Sequence, residues 1–380
     1  MLSIKKNNCK KINKKLRVLL ITLRSDYGGG PQHVDLLIEN LSKEFDLYLG
    51  CPNDEPYFDK WKTIQRVKSI YKLPHRKFSF QKFFGLYKFV KNNQINLVHS
   101  HGKGAGIYSR LLKLIHPNLK VVHTLHGFHI QEYNWLRKTI YIFIEKFLSF
   151  LTDRFINVSY GEKNICLEFG IFKSEKSDVI YNGVRKITRI EDAKEKTNLS
   201  GKFIVTTISR FDYQKNMYFA YEIAKRFKDD QTLLFLWLGD GNDKSRLEQN
   251  SKEEGVNIYF TGFTKDIPLY LSASDLYLST SRWEGLPYAL IEAQSLGIPI
   301  VATDVIGNNE VVEHGKNGYL FTNIDDACKY IRILIKNDTL YKNFSDQAVK
   351  NFSEKFYISI MVQKIEEIYR KVGVFFNDRS

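Results

Sequence analysis

The sequence predicts two doubly wound α/β domains in tandem. Three observations carry this. The chain has 380 residues, and two domains are the ordinary outcome at that length. Short apolar runs suited to buried parallel strands alternate with helical patterns in both halves. Near the start, an apolar run at 16–23 meets the glycine turn Asp26-Tyr27-Gly28-Gly29-Gly30-Pro31, and a helical pattern follows at 32–41. Strand, glycine turn and helix form the first unit of a doubly wound sheet, and the glycines permit close backbone approach to a ligand.

Taken in order, residues 1–15 read as a basic, polar lead-in expected to fray. Further strands are expected at 45–49, 95–99, 121–125 and 154–158, with helices from the strand at 95–99 to about 115 and at 133–151. Residues 185–201 are polar and charged and read as the linker. The second half has strands at 203–209, 233–239, 258–262, 275–280 and 298–302. Helices follow at 325–336, 339–351 and 357–372, the last amphipathic through Ile358, Met361, Val362, Ile365 and Ile368. The division is therefore 1–185, 186–356 and a terminal helix at 357–380.

The net charge of +15 is unevenly placed. Residues 1–190 hold 33 Lys/Arg and 15 Asp/Glu, a net of +18, whereas residues 191–380 hold 24 and 27, a net of −3. The halves therefore have different partners. A nucleic-acid-binding protein is one reading of such a charge, but no recognition motif accompanies it. The four cysteines are scattered, which fits a reducing cytoplasmic compartment and no zinc site. The apolar run after Arg17 is too short for a signal peptide. The run at 140–151 is interrupted by Glu145 and Lys146 and cannot span a bilayer. It is expected to be a helix with one buried face.

The chemistry concentrates at 281–313. Pro287 suits the first turn of a helix that runs to Leu296 and stops at Gly297. Glu284 precedes this helix and Glu292 lies inside it, beside its apolar stripe. The free amides of Gly285, Leu286 and the turn at Pro287 make an anion site. Phosphate-binding amides flanked by two carboxylates able to hold hydroxyls suit a sugar nucleotide. A lone helical Glu is more often a solvated face, and that reading stays open on spacing alone. Arg210 and Lys215 sit five residues apart in a strand-exit loop, a spacing that suits a diphosphate or, equally, two surface cations. His123, Thr124, His126 and His129 gather at another strand end. Their directions are not those of a defined metal set, and no D-x-D occurs anywhere in the chain.

The segments E-G-L-P-Y-A-L-I-E-A, G-I-P-I-V-A-T, G-N-N-E-V-V and G-K-N-G-Y-L-F, in this order, resemble the donor-site signature of glycosyltransferase family 4. The resemblance implies the GT-B architecture, in which two Rossmann-like domains face a cleft and the final helix crosses back to the first domain. It implies a retaining transfer of sugar from a nucleotide-sugar to an acceptor hydroxyl, without metal or other cofactor. By the same resemblance Gly29 and Gly30 face the donor phosphates and the acceptor, Arg210 and Lys215 clamp the pyrophosphate, and Gly262 and Phe263 border the base. Gly285, Leu286 and Pro287 line the anion site, with N–H groups from the first two, Glu292 holds the ribose, Glu284 holds the transferred sugar, and His126 contacts that sugar from the other domain. The sequence departs from the pattern at Ile306, where many members have glycine. A sugar-nucleotide epimerase on the same fold is the rival reading.

Residues 60–91 hold ten Lys/Arg, eight aromatics and no acid. Ile64–Ile70 alternates enough for a strand, and Phe84, Tyr87 and Val90 have the spacing of a core helix. An acid-free run of this kind also fits an anionic membrane surface, touched through Lys68, Lys72, Arg76, Lys77 and Lys82. With the family resemblance this implies a lipid-linked or glycan acceptor, in surface polysaccharide assembly, and a cytoplasmic protein peripheral on the membrane.

Overall fold

The computed structural model describes residues 15–128, 130 and 133–373. The basic lead-in at 1–14 and His129 lie outside these. The first sheet contains β1 (Leu16–Thr22), β2 (Phe45–Cys51), β3 (Val67–Lys72), β4 (Leu97–His101), β5 (Lys120–Thr124), β6 (Arg154–Asn157) and β7 (Ser177–Val179). The second contains β8 (Phe203–Ile208), β9 (Leu233–Leu238), β10 (Ile258–Gly262), β11 (Leu276–Ser279), β12 (Ile300–Thr303) and β13 (Gly318–Phe321). Their orders are 3-2-1-4-5-6-7 and 10-9-8-11-12-13, with parallel pairing at both reversals. Each sheet therefore has one point where strand order reverses, between β1 and β4 and between β8 and β11. Ligands bind outside the strand ends at such points.

The strands are apolar on both faces because helices cover both. Along β1, Val18 and Leu20 pack with Val34, Leu37 and Trp61. Leu19 and Ile21 pack with Phe83, Leu86, Tyr108 and Leu112 on the opposite side. The helices Phe80–Asn92 and Lys103–Ile115 thus share one side of the sheet. The helix Trp135–Ser149 joins them there through a buried ion pair, Arg110 Nη1 to Glu145 Oε2 at 2.7 Å. Sequence periodicity places Phe84 in the core, but Phe83, Leu86 and Val90 turn inward and Phe84 points out.

The segment after β7 meets the end of the chain. Val184 N donates to Phe356 O and accepts at its own carbonyl from Ile358 N, both at 3.0 Å. The two crossings between the sheets are therefore hydrogen-bonded to each other. Residues 186–190 lie against the second unit, where Arg189 donates to Leu296 O at 2.7 Å. The final helix, Ile358–Gly373, buries Met361, Ile365, Ile368 and Tyr369 and reaches the first sheet, where Tyr369 Oη meets His99 Nδ1 at 2.6 Å.

Candidate active site

Both reversal points open onto one cleft. On the second sheet, the exit of β8 carries Arg210 and Lys215, and the exit of β11 carries Glu284. The buried Glu284 receives Lys215 Nζ at 2.5 Å and Ser281 Oγ at 2.6 Å on the same oxygen. Arg210 is half-exposed and is held by Asp212 and Gln214, each at 3.0 Å. Behind this pair lies a cavity of about 20 Å³ lined by Ser209, Lys215, Thr280, Glu284 and Leu290, room for a single water.

The helix after Glu284 runs Tyr288–Ser295, with Pro287 as its N-cap in extended conformation. Pro287 thus sits one position earlier than sequence reasoning places it. Its fixed φ suits the flanking residue as well as the first turn. Glu292 faces the first domain, where Gln32 Nε2 donates to it at 2.8 Å. Burial holds the Glu292 carboxyl above the usual carboxylate range, with the Gln32 bond acting against that shift.

On the first sheet, the helix after β1 starts at Gly29, not at Gln32. Gly29 and Gly30 are therefore its first helical residues, and their amides are among the unpaired ones at its start. A Cβ on Gly30 would meet open space, whereas one on Gly29 would touch Tyr288 of the second domain at 3.4 Å. At the far edge of the cleft Phe263 lies against Tyr27, with ring centroids 4.5 Å apart. Gly262 at φ +68 lets the chain turn there.

The histidines regroup. His123 sits on β5 beneath the surface, bonded to Ser100. His126, in the left-handed region at φ +58, joins His101 from the end of β4 and His33 from the helix after β1. His101 Nδ1 and His126 Nε2 are 3.0 Å apart, and the His33 and His126 rings lie edge to face at 4.7 Å. Burial lowers the pKa of all three, of His33 to about 4, so they are neutral imidazoles at neutral pH. His33 Nδ1 is 3.1 Å from both Asn182 Oδ1 and Tyr288 Oη. Among the described residues, the Nε2 atoms of His33 and His101 are buried without a partner. One ligand atom from each of the three can lie within 4.8 Å of the others, so the group can bind sugar hydroxyls or hold a divalent ion.

Two further residues escape sequence reasoning. Asn182 ties the domains together, meeting His33 on one side and donating to Leu286 O at 2.8 Å on the other. Glu162, wholly buried, accepts from Val158 N at 2.8 Å and from Gly127 N, and so fixes the loop that carries His126. Burial pushes the Glu162 carboxyl up to about 7. Its signal was available: Ser159-Tyr-Gly-Glu162 has the form of a capping box, and Ser159 Oγ does accept from Glu162 N at 3.1 Å.

The loops bearing His126 and Glu284 touch. A Cβ on Gly285 would stand 3.3 Å from Gly127 N. Behind them Gly307, at φ +87, lies so near that a Cβ there would meet Gly285 O at 2.7 Å. Ile306, the departure noted in the sequence, covers Gly161 of the first domain. The structure thus brings His126, Glu284, Gly285, Leu286, Pro287, Glu292, Lys215, Gly29 and Gly30 to one cleft, with Arg210 and the Gly262–Phe263 turn at its margin. The five cations of the basic stretch line no part of this site. Lys68, Lys72, Arg76, Lys77 and Lys82 are all solvent-exposed.

Two switch-point loops facing each other, one with a cation–carboxylate pair and one with neutral histidines, are the arrangement of the GT-B architecture. The family comparison agrees. The model for group 1 glycosyl transferases matches residues 189–351, and that for glycosyltransferase family 4 matches residues 27–186. The chain belongs to this glycosyltransferase family and is of polysaccharide-biosynthesis type. It is 29% identical over 364 residues to the UDP-Gal:alpha-D-GlcNAc-diphosphoundecaprenol alpha-1,3-galactosyltransferase of Escherichia coli, covering 90% of this chain and 93% of the relative. It is 31% identical over 363 residues to an uncharacterized 41.2 kDa protein in the cps region of Klebsiella pneumoniae, covering 90% and 96%. The crystal structure of Anabaena Alr3699/HepE in complex with UDP and glucose superposes with a TM-score of 0.81 at 19% identity, covering 93% of this chain and 99% of that one.

Proposed function

We propose that the protein moves a hexose, with retention, from a uridine-diphosphate sugar to a hydroxyl of a glycan carried on a lipid diphosphate. The observation that carries this is the pairing of Lys215 with the buried Glu284 at the β8–β11 reversal, directly opposite the histidine cluster. Lys215 and Arg210, with the N–H groups of Gly285 and Leu286 ahead of Pro287, neutralise charge growing on the diphosphate as the anomeric carbon–oxygen bond breaks. Glu284, released from Lys215, accepts hydroxyls of the transferred sugar. Glu292 takes the ribose hydroxyls in place of Gln32, and Phe263 borders the base. His126 contacts the sugar near its reacting carbon, and the unpartnered Nε2 atoms of His33 and His101 receive hydroxyls of sugar or acceptor. The contacts of Gln32 with Glu292 and of Tyr27 with Phe263 hold the domains together, so donor entry requires them to part. Reclosure excludes water that would hydrolyse the donor.

The donor class and the acceptor follow the relative from Escherichia coli, whose name gives UDP-Gal and a diphosphoundecaprenol-linked GlcNAc. Association with an anionic membrane through the basic residues 60–91 fits such an acceptor, since each cation near anionic lipid contributes about 1 kcal/mol. No described helix is long and apolar enough to cross a membrane. The test pairs each of UDP-galactose, UDP-glucose and UDP-N-acetylglucosamine with a lipid-diphosphate GlcNAc acceptor, with and without chelator. Transfer from one of them, undiminished by chelator, is expected. An isomerised donor appearing without acceptor would instead mark an epimerase, and loss of turnover on chelation would assign a metal to the histidines.

A further inference from the structure

The helix Trp135–Ser149 is apolar on two opposite faces. One face packs inward: Glu145 is buried against Arg110, Leu148 is buried, and Tyr141 stacks with Phe128. The other faces out. Leu136, Ile140, Phe143 and Phe147 follow an i, i+4, i+7, i+11 stripe about 16 Å long, at roughly 1.5 Å per residue. Their exposures are 58%, 51%, 71% and 58%. Trp135 and Phe150, at the two ends, are each 79% exposed. Sequence reasoning expects a helix with one buried face and does not say which. The outer stripe is a second apolar face, left bare over three turns, and contiguous exposed apolar surface marks an interaction site.

We propose that this stripe lies in the interfacial layer of an anionic membrane and anchors the enzyme beside its acceptor. The inference rests on the reading of the acceptor as lipid-linked and deepens the electrostatic attachment assigned to residues 60–91. The charges decide the occupant. Arg137 flanks the stripe on one side and Lys146 on the other, both exposed. Long cationic side chains placed so can bury their stems and keep their heads at the headgroup level. The single acid between 133 and 152, Glu145, is turned inward and paired, so this helix carries no acid on its outer face. On the same side of the sheet, beyond the helix Lys103–Ile115, the helix Phe80–Asn92 adds Phe80, 73% exposed, Phe84, 56% exposed, and Lys82. The helix has 15 residues, too few to cross a bilayer and enough to lie within its surface. It begins shortly after the loop of His126, so a membrane touching the stripe lies next to the mouth of the cleft.

The test is flotation of the full chain with vesicles of phosphatidylglycerol and phosphatidylethanolamine, and with phosphatidylcholine alone, at low and high salt. Three proteins are compared: wild type, Phe143→Asp/Phe147→Asp, and Arg76→Ser/Lys77→Ser/Lys82→Ser. All the substituted side chains are exposed, so folding is expected to survive, as circular dichroism checks; Ile140→Ser/Phe143→Ser is the milder alternative. Wild type should bind anionic vesicles and keep part of that binding at high salt. The Phe variant should lose the salt-resistant part, with binding reduced about tenfold or more, while turnover on a short-chain soluble acceptor is unchanged. The Lys/Arg variant should lose mainly the salt-sensitive part. Salt-resistant binding unaltered by the Phe variant would overturn the proposal while leaving electrostatic attachment standing. Failure of wild type to bind any vesicle would overturn both. A wild-type dimer in sedimentation that the Phe variant converts to monomer, with vesicle binding unchanged, would assign the stripe to self-association and overturn the proposal.

Discussion

Replacing Lys215 with alanine removes the cation 2.5 Å from Glu284 Oε1. Two separable consequences follow. The first is stability. Breaking a fully buried pair costs about 3–5 kcal/mol, because a desolvated charge is left alone. Here the Lys215 side chain is 21% exposed and Ser281 still donates to the same oxygen, so a loss of about 2 kcal/mol is expected. The second is catalysis. The positive charge opposite the departing diphosphate is gone, and kcat should fall by one to three decades, about 1.4–4 kcal/mol. Adding Glu284→Gln separates the two, since a neutral amide needs no counter-charge. The double variant should regain most of the stability and none of the turnover. Thermal unfolding measures the first effect and single-turnover transfer from UDP-sugar the second. A Lys215→Ala enzyme with raised KM and unchanged kcat would refute the transition-state role. A double variant as unstable as the single one would refute the electrostatic origin of the stability loss.

Other outcomes follow from the same geometry. His126→Ala should abolish turnover and leave nucleoside diphosphate affinity intact by calorimetry, because that ligand sits on the second domain; equal loss of both would make His126 structural. Glu292→Gln should weaken donor binding by about 1–3 kcal/mol, and unchanged affinity for UDP would dismiss the ribose contact. Glu162 titrates near 7 when folded against 4.5 for an ordinary Glu. The folded state thus favours its protonated form, so its contribution is fully present below about pH 4.5 and lost as pH rises through 7, by roughly 3 kcal/mol. Urea unfolding of wild type and Glu162→Gln at pH 5 and pH 8 reads this as a difference of differences, and parallel pH curves for the two proteins would contradict it.

The sequence by itself determined what is local. Apolar runs marked ten of the thirteen described strands, because burial on both faces leaves no alternation to misread; the edge strand β3 showed only as alternation, and the short edge strands β7 and β13 gave no such signal. The amphipathic pattern of the last helix marked Met361, Ile365 and Ile368, all of which are buried. The pairing of Glu284 and Glu292 across Pro287 was legible because one loop–helix unit contains both, and the cations of the β8 exit because one loop contains them. Tertiary structure decided the rest. His33, His101 and His126 come from three separate segments and meet because β4 pairs with both β1 and β5, a neighbourhood that spacing along the chain does not encode. The histidine run divides for the same reason: alternation along β5 turns His123 beneath the sheet, while His126 reaches the cleft. Gln32, Asn182 and Glu162 act across a domain boundary or between loops, and their partners are distant in sequence. Which face of the helix Trp135–Ser149 turns inward was likewise settled from outside it. Both faces are apolar, and the buried bond from Arg110 to Glu145 chooses the inner one, since an ionised Glu is tolerated in the core only where a partner waits for it.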